Sequence, residues 1–273
     1  MQNKHFIKVH NVYFPLDNHK YIKKKKKNKL KKIKWIDNKK KHNGLVLASQ
    51  KNFKIIECKN CEFNHCVPIP TETKLNKFYN KKYYNQKRKN DYFKKQKKDL
   101  AWWKSIFLKR LNQFEKMIKK KGTILDIGCG PGFFINFAKS KGWKVVGIEP
   151  SIDAVNFAKK DLKLKVNHGD YKILPSLKLK NVDVIYTHGV LEHLRDPKEL
   201  FIMSKKYLSK NGIFFTSVAN DFNLFQAAAL KKIKKPWWIV APEHINYFSI
   251  KSIFNLFKKT GYKVLEKNSS FPL

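Results

Sequence analysis

The sequence predicts an α/β fold: a mainly parallel sheet with helices on both faces, preceded by a small N-terminal α+β extension. Three observations predict it. From Thr123 onward, short apolar runs alternate with amphipathic stretches. Glycines cluster where the first of these runs ends, at Gly128-Cys129-Gly130-Pro131-Gly132. Residues 1–90 lack the alternation and are polar and lysine-rich. The expected organisation is therefore an N-terminal region over 1–90, a connecting amphipathic helix over 91–121 and an α/β domain over 122–273.

In the N-terminal region, Gly44-Leu45-Val46-Leu47 is apolar enough for a strand. Phe53–Cys61 reads as a strand entering a Cys-x-x-Cys knuckle, and Pro68-Ile69-Pro70 closes the segment. Between Asp91 and Lys121 the residues Leu100, Trp103, Phe107, Leu111, Phe114 and Ile118 recur at three- and four-residue steps. They form one apolar stripe, which makes Trp103 a core residue. Strands are expected at Thr123–Gly128, Lys144–Glu149, Leu164–Asn167, Val182–Thr187, Ile213–Val218 and Tyr262–Asn268. Phe133–Lys141 is a helix stopped by Gly142, and Ser151 is expected to cap another that runs to about Lys160. Asp196-Pro197 supplies an N-cap and a proline at the first helical position, and Lys210-Asn211-Gly212 reads as a turn. A short helix over Leu224–Ile233 precedes a loop bracketed by Pro236 and Pro242, a candidate lid or pocket wall. Ser249 begins the last helix and Gly261 ends it.

The composition narrows the functional classes. With 60 Lys and Arg against 20 Asp and Glu, the formal charge is +40, which would draw nucleic acid, anionic headgroups or acidic metabolites. Lysine is spread over every predicted element and far outnumbers arginine, the better reader of bases and phosphates, so compositional drift is the favoured explanation. The runs Lys23–Lys27 and Lys39–Lys41 read as solvated loops. Nothing approaches the ~18 apolar residues of a membrane span, and the start lacks a secretory apolar region. The four cysteines do not form a secreted-type framework, so a reducing, cytoplasmic setting is expected.

The glycine spacing is G-x-G-x-G at a strand-to-helix turn, and the missing Cβ atoms leave room for a ligand lying across it. Dinucleotide enzymes use G-x-G-x-x-G so that a pyrophosphate meets the helix N-terminus. Here Asp126 lies two residues before the first glycine, where it would repel a pyrophosphate but accept from an ammonium group. That chemistry favours S-adenosylmethionine (SAM). Glu149, at the tip of the next strand, is placed to accept from both ribose hydroxyls of an adenosine ligand, a feature NAD enzymes share.

Ile124–Gly132 closely resembles the glycine motif of class I SAM-dependent methyltransferases. Gly189-Val190-Leu191-Glu192-His193-Leu194-Arg195-Asp196-Pro197 resembles their fourth-strand signature. The resemblance covers about Gly122 to Leu273. It implies a seven-stranded Rossmann-like sheet with SAM over the carboxyl ends of the strands. Carried over by motif, Asp126, Gly128, Gly130 and Gly132 would line the methionine side and Glu149 the ribose. Asp170 matches an adenine-contacting position, and His188 would line the cofactor pocket. The family's sheet ends in a hairpin of strands six and seven, and with this sequence stopping at Phe271-Pro272-Leu273 the expectation is a sheet that lacks strand seven.

Methyl transfer to a hydroxyl or carbon acid needs a base, and histidine suits that task near neutral pH. Pro242-Glu243-His244-Ile245-Asn246-Tyr247-Phe248-Ser249 resembles a segment of sugar C-methyltransferases in which the Glu-His pair faces the acceptor. His244 is therefore the candidate base, with Glu243 orienting it or binding substrate; a structural role capping the next helix is the alternative. His193 reads as a structural member of its signature. The acceptor expected is a small molecule or glycan precursor. A nucleic-acid methyltransferase and a non-catalytic SAM-fold or nucleic-acid-binding protein are the alternatives. Against the nucleic-acid case, Tyr186-Thr187-His188-Gly189 stands where many base methylators carry an Asn/Asp-Pro-Pro-Tyr/Phe run.

Cys58-x-x-Cys61 with the following Pro68-Ile69-Pro70 resembles the zinc-ribbon leader of many such enzymes. A closed zinc site needs four ligands, and no second Cys-x-x-Cys exists. His65 or Cys66 would be a third ligand and His5, His10 or His42 a fourth. The expectation is a degenerate ribbon without zinc, Cys58 and Cys61 being the residues a metal would use.

Overall fold

A computed structural model of the chain describes residues 5–10, 31–37, 39–81 and 98–268. The lysine run Lys23–Lys27, the start of the expected connecting helix (91–97) and Phe271-Pro272-Leu273 lie outside the described residues. The elements run β1 (His5–His10), β2 (Lys32–Asp37), β3 (Lys40–Gln50), β4 (Phe53–Cys58), β5 (Asn64–Val67) and α1 (Glu72–Lys81). Next come α2 (Leu100–Ile118), β6 (Thr123–Ile127), α3 (Phe133–Ser140), β7 (Lys144–Glu149), α4 (Ile152–Lys160), β8 (Val166–His168) and β9 (Val182–His188). The last are α5 (Pro197–Ser204), β10 (Leu208–Ser217), α6 (Leu224–Ile233), β11 (Asn246–Tyr247), α7 (Ile250–Lys259) and β12 (Tyr262–Asn268). Short 3-10 helices cover Tyr171–Leu177 and Leu191–His193.

The chain divides into two compact units. The first comprises residues 1–7, 71–188 and 202–216. Its sheet has the order β10-β9-β6-β7-β8, with β7 parallel to β6 and to β8 and β9 parallel to β6, the arrangement expected of a Rossmann-like fold. The apolar stripe of α2 is buried as expected: Phe107, Leu111 and Phe114 lie in the core, and Trp103 packs against it. Tyr186 stacks on Phe215 at 4.8 Å and on Phe134 at 4.1 Å, joining β9 to β10 and to α3. Burying each such ring contributes about 2–3 kcal/mol relative to exposure. Gly147 of β7 must be a glycine for space, since a Cβ there would lie 2.7 Å from the Cys129 sulfur and 3.0 Å from Val166.

The second unit comprises residues 8–70, 189–201 and 217–273. Its antiparallel sheet has the order β11-β5-β4-β3-β2. Its last helix, α7, begins with a capping box in which the side chains of Ser249 and Ser252 accept from each other's backbone N–H, as the sequence led one to expect of Ser249. Among the described residues, strand β12 stands at the end of its sheet, next to β1. No sequence signal marked β1 as a strand.

Three local expectations are corrected. Lys210-Asn211-Gly212 is not a turn: it lies within β10, and the chain turns earlier, at Lys205–Tyr207. Tyr207 then supplies the carbonyl that accepts from Val182 N–H at the start of β9. Lys39–Lys41 is not a loop, because Lys40 and Lys41 open β3, where their exposed side chains suit the end of a strand. Ser151 precedes α4 but does not cap it by its side chain; its own N–H is held by Glu149. Asp196 does cap α5, its Oδ1 accepting from Lys198 and Glu199 N–H.

Candidate functional site

In the first unit, β6 delivers Asp126 and then turns through Gly128, Gly130 and Gly132, whose φ angles are 76°, 54° and 86°. All three are left-handed, a conformation that costs other residues about 1–2 kcal/mol each. Gly128 and Cys129 N–H both bond to the Ile148 carbonyl at 2.8 and 3.1 Å, which fixes the loop against β7. Glu149, at the end of β7, reaches across it. One carboxylate oxygen accepts from Gly130 N–H at 2.9 Å, and the other from Ser151 N–H at 2.9 Å. Each oxygen keeps a further lone pair for a ligand hydroxyl.

Two buried carboxylates thus flank the glycine loop. Burial holds Asp126 well above the usual carboxylate range; the Glu149 charge pushes it the same way and the Arg110 guanidinium pulls against both. Burial also raises Glu149 to about 7, opposed by its two backbone donors. Such a site gains from a cationic guest and loses from an anionic one.

The remaining expected cofactor residues are placed as follows. Asp170 caps the 3-10 turn after β8, its Oδ1 accepting from Lys172 N–H at 2.8 Å. His188 ends β9 with its ring 6.2 Å from Trp103. Arg110 was missed. It hydrogen-bonds the Tyr186 hydroxyl, its guanidinium lies 5.6 and 5.4 Å from the ring centres of Tyr186 and Phe215, and it is the buried cation nearest in effect to Asp126. A signal existed: Arg110 stands three residues after Phe107 and four before Phe114, on the buried stripe itself.

In the second unit, Glu192, His193 and His244 come together, with their polar atoms within 4.8 Å of one another. The loop carrying Glu243 and His244 is clamped to the 191–194 turn. Ile245 N–H donates to the Glu192 carbonyl at 2.7 Å, and Asn246 donates to the carbonyls of Leu191 and Leu194. His193 Nδ1 donates to the Glu243 carbonyl at 2.7 Å, so in the neutral ring Nε2 is the acceptor nitrogen. The rings of His193 and His244 meet edge to face at 4.8 Å. Burial and the neighbouring His193 lower His244 to about 4, which leaves it neutral at pH 7. Glu192 was not singled out from the sequence; burial, backed by the Asp221 charge, raises it to about 8. Asp221 is likewise raised to about 7 by burial.

These shifts set a pH dependence of stability. A buried carboxylate with a raised pKa binds its proton more tightly folded than unfolded, so stability falls as pH rises toward the folded value. Lowered His244 acts oppositely, but only below its unfolded value of about 6.5. The unfolding temperature of the ligand-free chain is therefore expected to fall between about pH 6.5 and about pH 8.5. Differential scanning fluorimetry across that range tests this, and a rise would contradict the placement of Glu149, Glu192 and Asp221.

A family model described as a methyltransferase domain matches residues 94–267, more than half of the chain. The chain belongs to the methyltransferase-domain family. Among curated relatives, a ubiquinone biosynthesis O-methyltransferase of Pelagibacter ubique is 38% identical over 107 residues, covering 37% of this chain and 43% of the relative. A tRNA U34 carboxymethyltransferase of Campylobacter jejuni is 32% identical over 125 residues, covering 43% of this chain and 42% of the relative. The matched stretch thus spans less than half the length of either. Among solved structures, the plantazolicin methyltransferase BamL in complex with a triazolic analog and SAH aligns with a TM-score of 0.52 at 16% identity, covering 68% of this chain and 70% of that one. That likeness shows the shared methyltransferase fold. Among the described residues, no helix is long and apolar enough to cross a membrane, and all four cysteines are unpaired.

Proposed function

We propose that this methyltransferase-family chain moves the methyl group of SAM to a small-molecule or glycan-precursor acceptor. The observation that carries the reading is the glycine loop with its two buried carboxylates, Asp126 and Glu149. When bound, SAM supplies an electrophilic methyl group on a sulfonium. The chain's residues bind and orient it. Gly128, Gly130 and Gly132 keep side chains out of the donor's place. Asp126 gains from a cation beside it, which offsets the burial of its own charge. Glu149 accepts from ribose hydroxyls through the lone pairs its backbone donors leave over. Asp170 serves the adenine side, and His188 lines the donor's pocket. A pyrophosphate ligand fits poorly, because both carboxylates would oppose it.

His244 takes the acceptor's proton. Its ring is neutral at pH 7 and so holds a lone pair to receive the proton, and the clamp on its loop holds it in place. Glu243 holds the acceptor or steadies the ring of His244. A hydroxyl acceptor is in keeping with the relative named as a ubiquinone biosynthesis O-methyltransferase. A second reading, methylation of RNA, is favoured by the net charge of +40 and by the relative named as a tRNA U34 carboxymethyltransferase. Transfer of labelled methyl from SAM into fractionated extracts separates the two. Label in the small-molecule or glycan-precursor fraction that survives ribonuclease supports the proposal. Label confined to ribonuclease-sensitive material overturns its acceptor in favour of RNA, and no label in any fraction overturns the activity.

A further inference from the structure

The sequence left Cys58 and Cys61 two ligands short of a closed metal site. Strand pairing in the second unit supplies two more. β3 and β4 pair antiparallel with Gly44 opposite Cys58, which brings His42 of β3 past the end of β4 to the knuckle. β4 and β5 pair with Ile56 opposite His65, which brings that ring back to the same end. The turn between them is tied by Glu62 N–H to the Cys58 carbonyl at 2.9 Å and by Lys59 N–H to the Asn43 carbonyl at 2.8 Å.

His42, Cys58, Cys61 and His65 then present their ligand atoms within 4.8 Å of one another, and His42, Cys58 and His65 are buried. His42 Nδ1 lies 3.1 Å from His65 Nε2, 3.4 Å from Cys61 Sγ and 3.8 Å from Cys58 Sγ. The two rings stand nearly perpendicular, at 81°. Bond lengths of about 2.05 Å for Zn–N and about 2.3 Å for Zn–S in a tetrahedron require N–N edges of about 3.3 Å and N–S edges of about 3.6 Å. The observed spacings are close to those edges.

Hydrogen bonding alone does not account for the arrangement. His65 Nδ1 donates to the Cys66 carbonyl at 3.0 Å, so its Nε2 offers a lone pair toward His42. His42 Nδ1 carries at most one proton, yet three electron-rich atoms converge on it. A cation in the middle satisfies all four ligands at once. The bond from His65 to the Cys66 carbonyl is the kind of outer support that fixes a metal-bound imidazole.

We infer that His42, Cys58, Cys61 and His65 form a Cys2His2 site for one zinc ion, which staples β3 to the β4–β5 hairpin. Four protein ligands close the tetrahedron, so the site is structural and leaves no open position for chemistry. The apolar cluster beside it is small, with Ile56, Cys58 and Val67 buried and Ile33, Val46 and Cys61 packed against them, so metal binding has much to add there. The side chains of His5 and His10, the other upstream candidates, lie outside the described residues. Cys66 is not a member: its sulfur turns to the Pro68 carbonyl at 3.8 Å. The inference is independent of the methyl donor and acceptor.

The test is zinc content of the full chain, produced with zinc and desalted, by plasma mass spectrometry. About one zinc per chain is expected, falling to about a tenth or less in His42→Ala, in Cys61→Ser and in His65→Ala, and staying at about one in Cys66→Ser. Cobalt loading adds a readout that folding alone does not move. Tetrahedral d–d bands with thiolate-to-cobalt charge transfer are expected in the wild type and lost in Cys61→Ser. A folded wild-type chain without zinc, or a content unaltered by the three ligand substitutions, would overturn the inference.

Discussion

Substituting His244 by alanine is expected to slow methyl transfer by about 10²–10⁴-fold, the usual span for losing a general base. SAM affinity should stay within about twofold of wild type, because the change removes proton transfer and no donor contact. The expectation rests on a neutral, half-buried ring whose loop is clamped to the 191–194 turn. His193→Ala supplies the comparison. It removes the ring packed edge-on against His244 and the donor to the Glu243 carbonyl, so it should disturb position more than proton affinity. Single-turnover transfer of labelled methyl with each variant measures both. Wild-type transfer by His244→Ala would take that residue out of the mechanism and leave it the helix-capping role that the sequence also allowed.

Glu149→Ala is expected to weaken SAM by about 10–100-fold, since a charge-assisted hydrogen bond is worth about 1.5–3 kcal/mol. Asp170→Ala should change affinity by less than about threefold, because its carboxylate is engaged in capping an exposed turn. The contrast separates the carboxylate that bears the ribose from the one that serves the adenine side while capping a turn. Glu149 also gives the site a pH signature. With its pKa near 7 in the free chain, ionisation improves both its accepting strength and its attraction for a cationic donor. SAM affinity should therefore rise from about pH 6 to about pH 8, and Glu149→Gln should flatten that rise. Calorimetric titration of the three variants reads these outcomes, with thermal unfolding as the control on folding. Equal losses in Glu149→Ala and Asp170→Ala would remove the distinction.

Much of this was legible in the residues. The stripe through Phe107, Leu111 and Phe114, the alternation after Thr123 and the glycine spacing each follow from local periodicity or sterics, and the structure repeats them. What escaped depends on pairing between distant segments. His65 and His42 stand in the sequence only as two among several candidate partners of Cys58 and Cys61, because strand register, not sequence distance, brings His42 to the knuckle. Arg110 was hidden by its charge. A cation on an apolar stripe looks like its exposed edge until Tyr186 and Phe215 are seen beneath it. The Lys210-Asn211-Gly212 misreading has a similar origin. Turn propensity is a local preference, and pairing in the sheet carried the strand through it.

The measurement that bears most directly on the methyltransferase reading is calorimetric titration of the unmodified chain with SAM and, separately, with NAD. One SAM per chain is expected, at least about 100-fold tighter than any NAD signal, as the two buried carboxylates demand of a cationic over a pyrophosphate ligand. Absence of SAM binding by a folded chain, or NAD binding at equal strength, would contradict the assignment of the glycine loop.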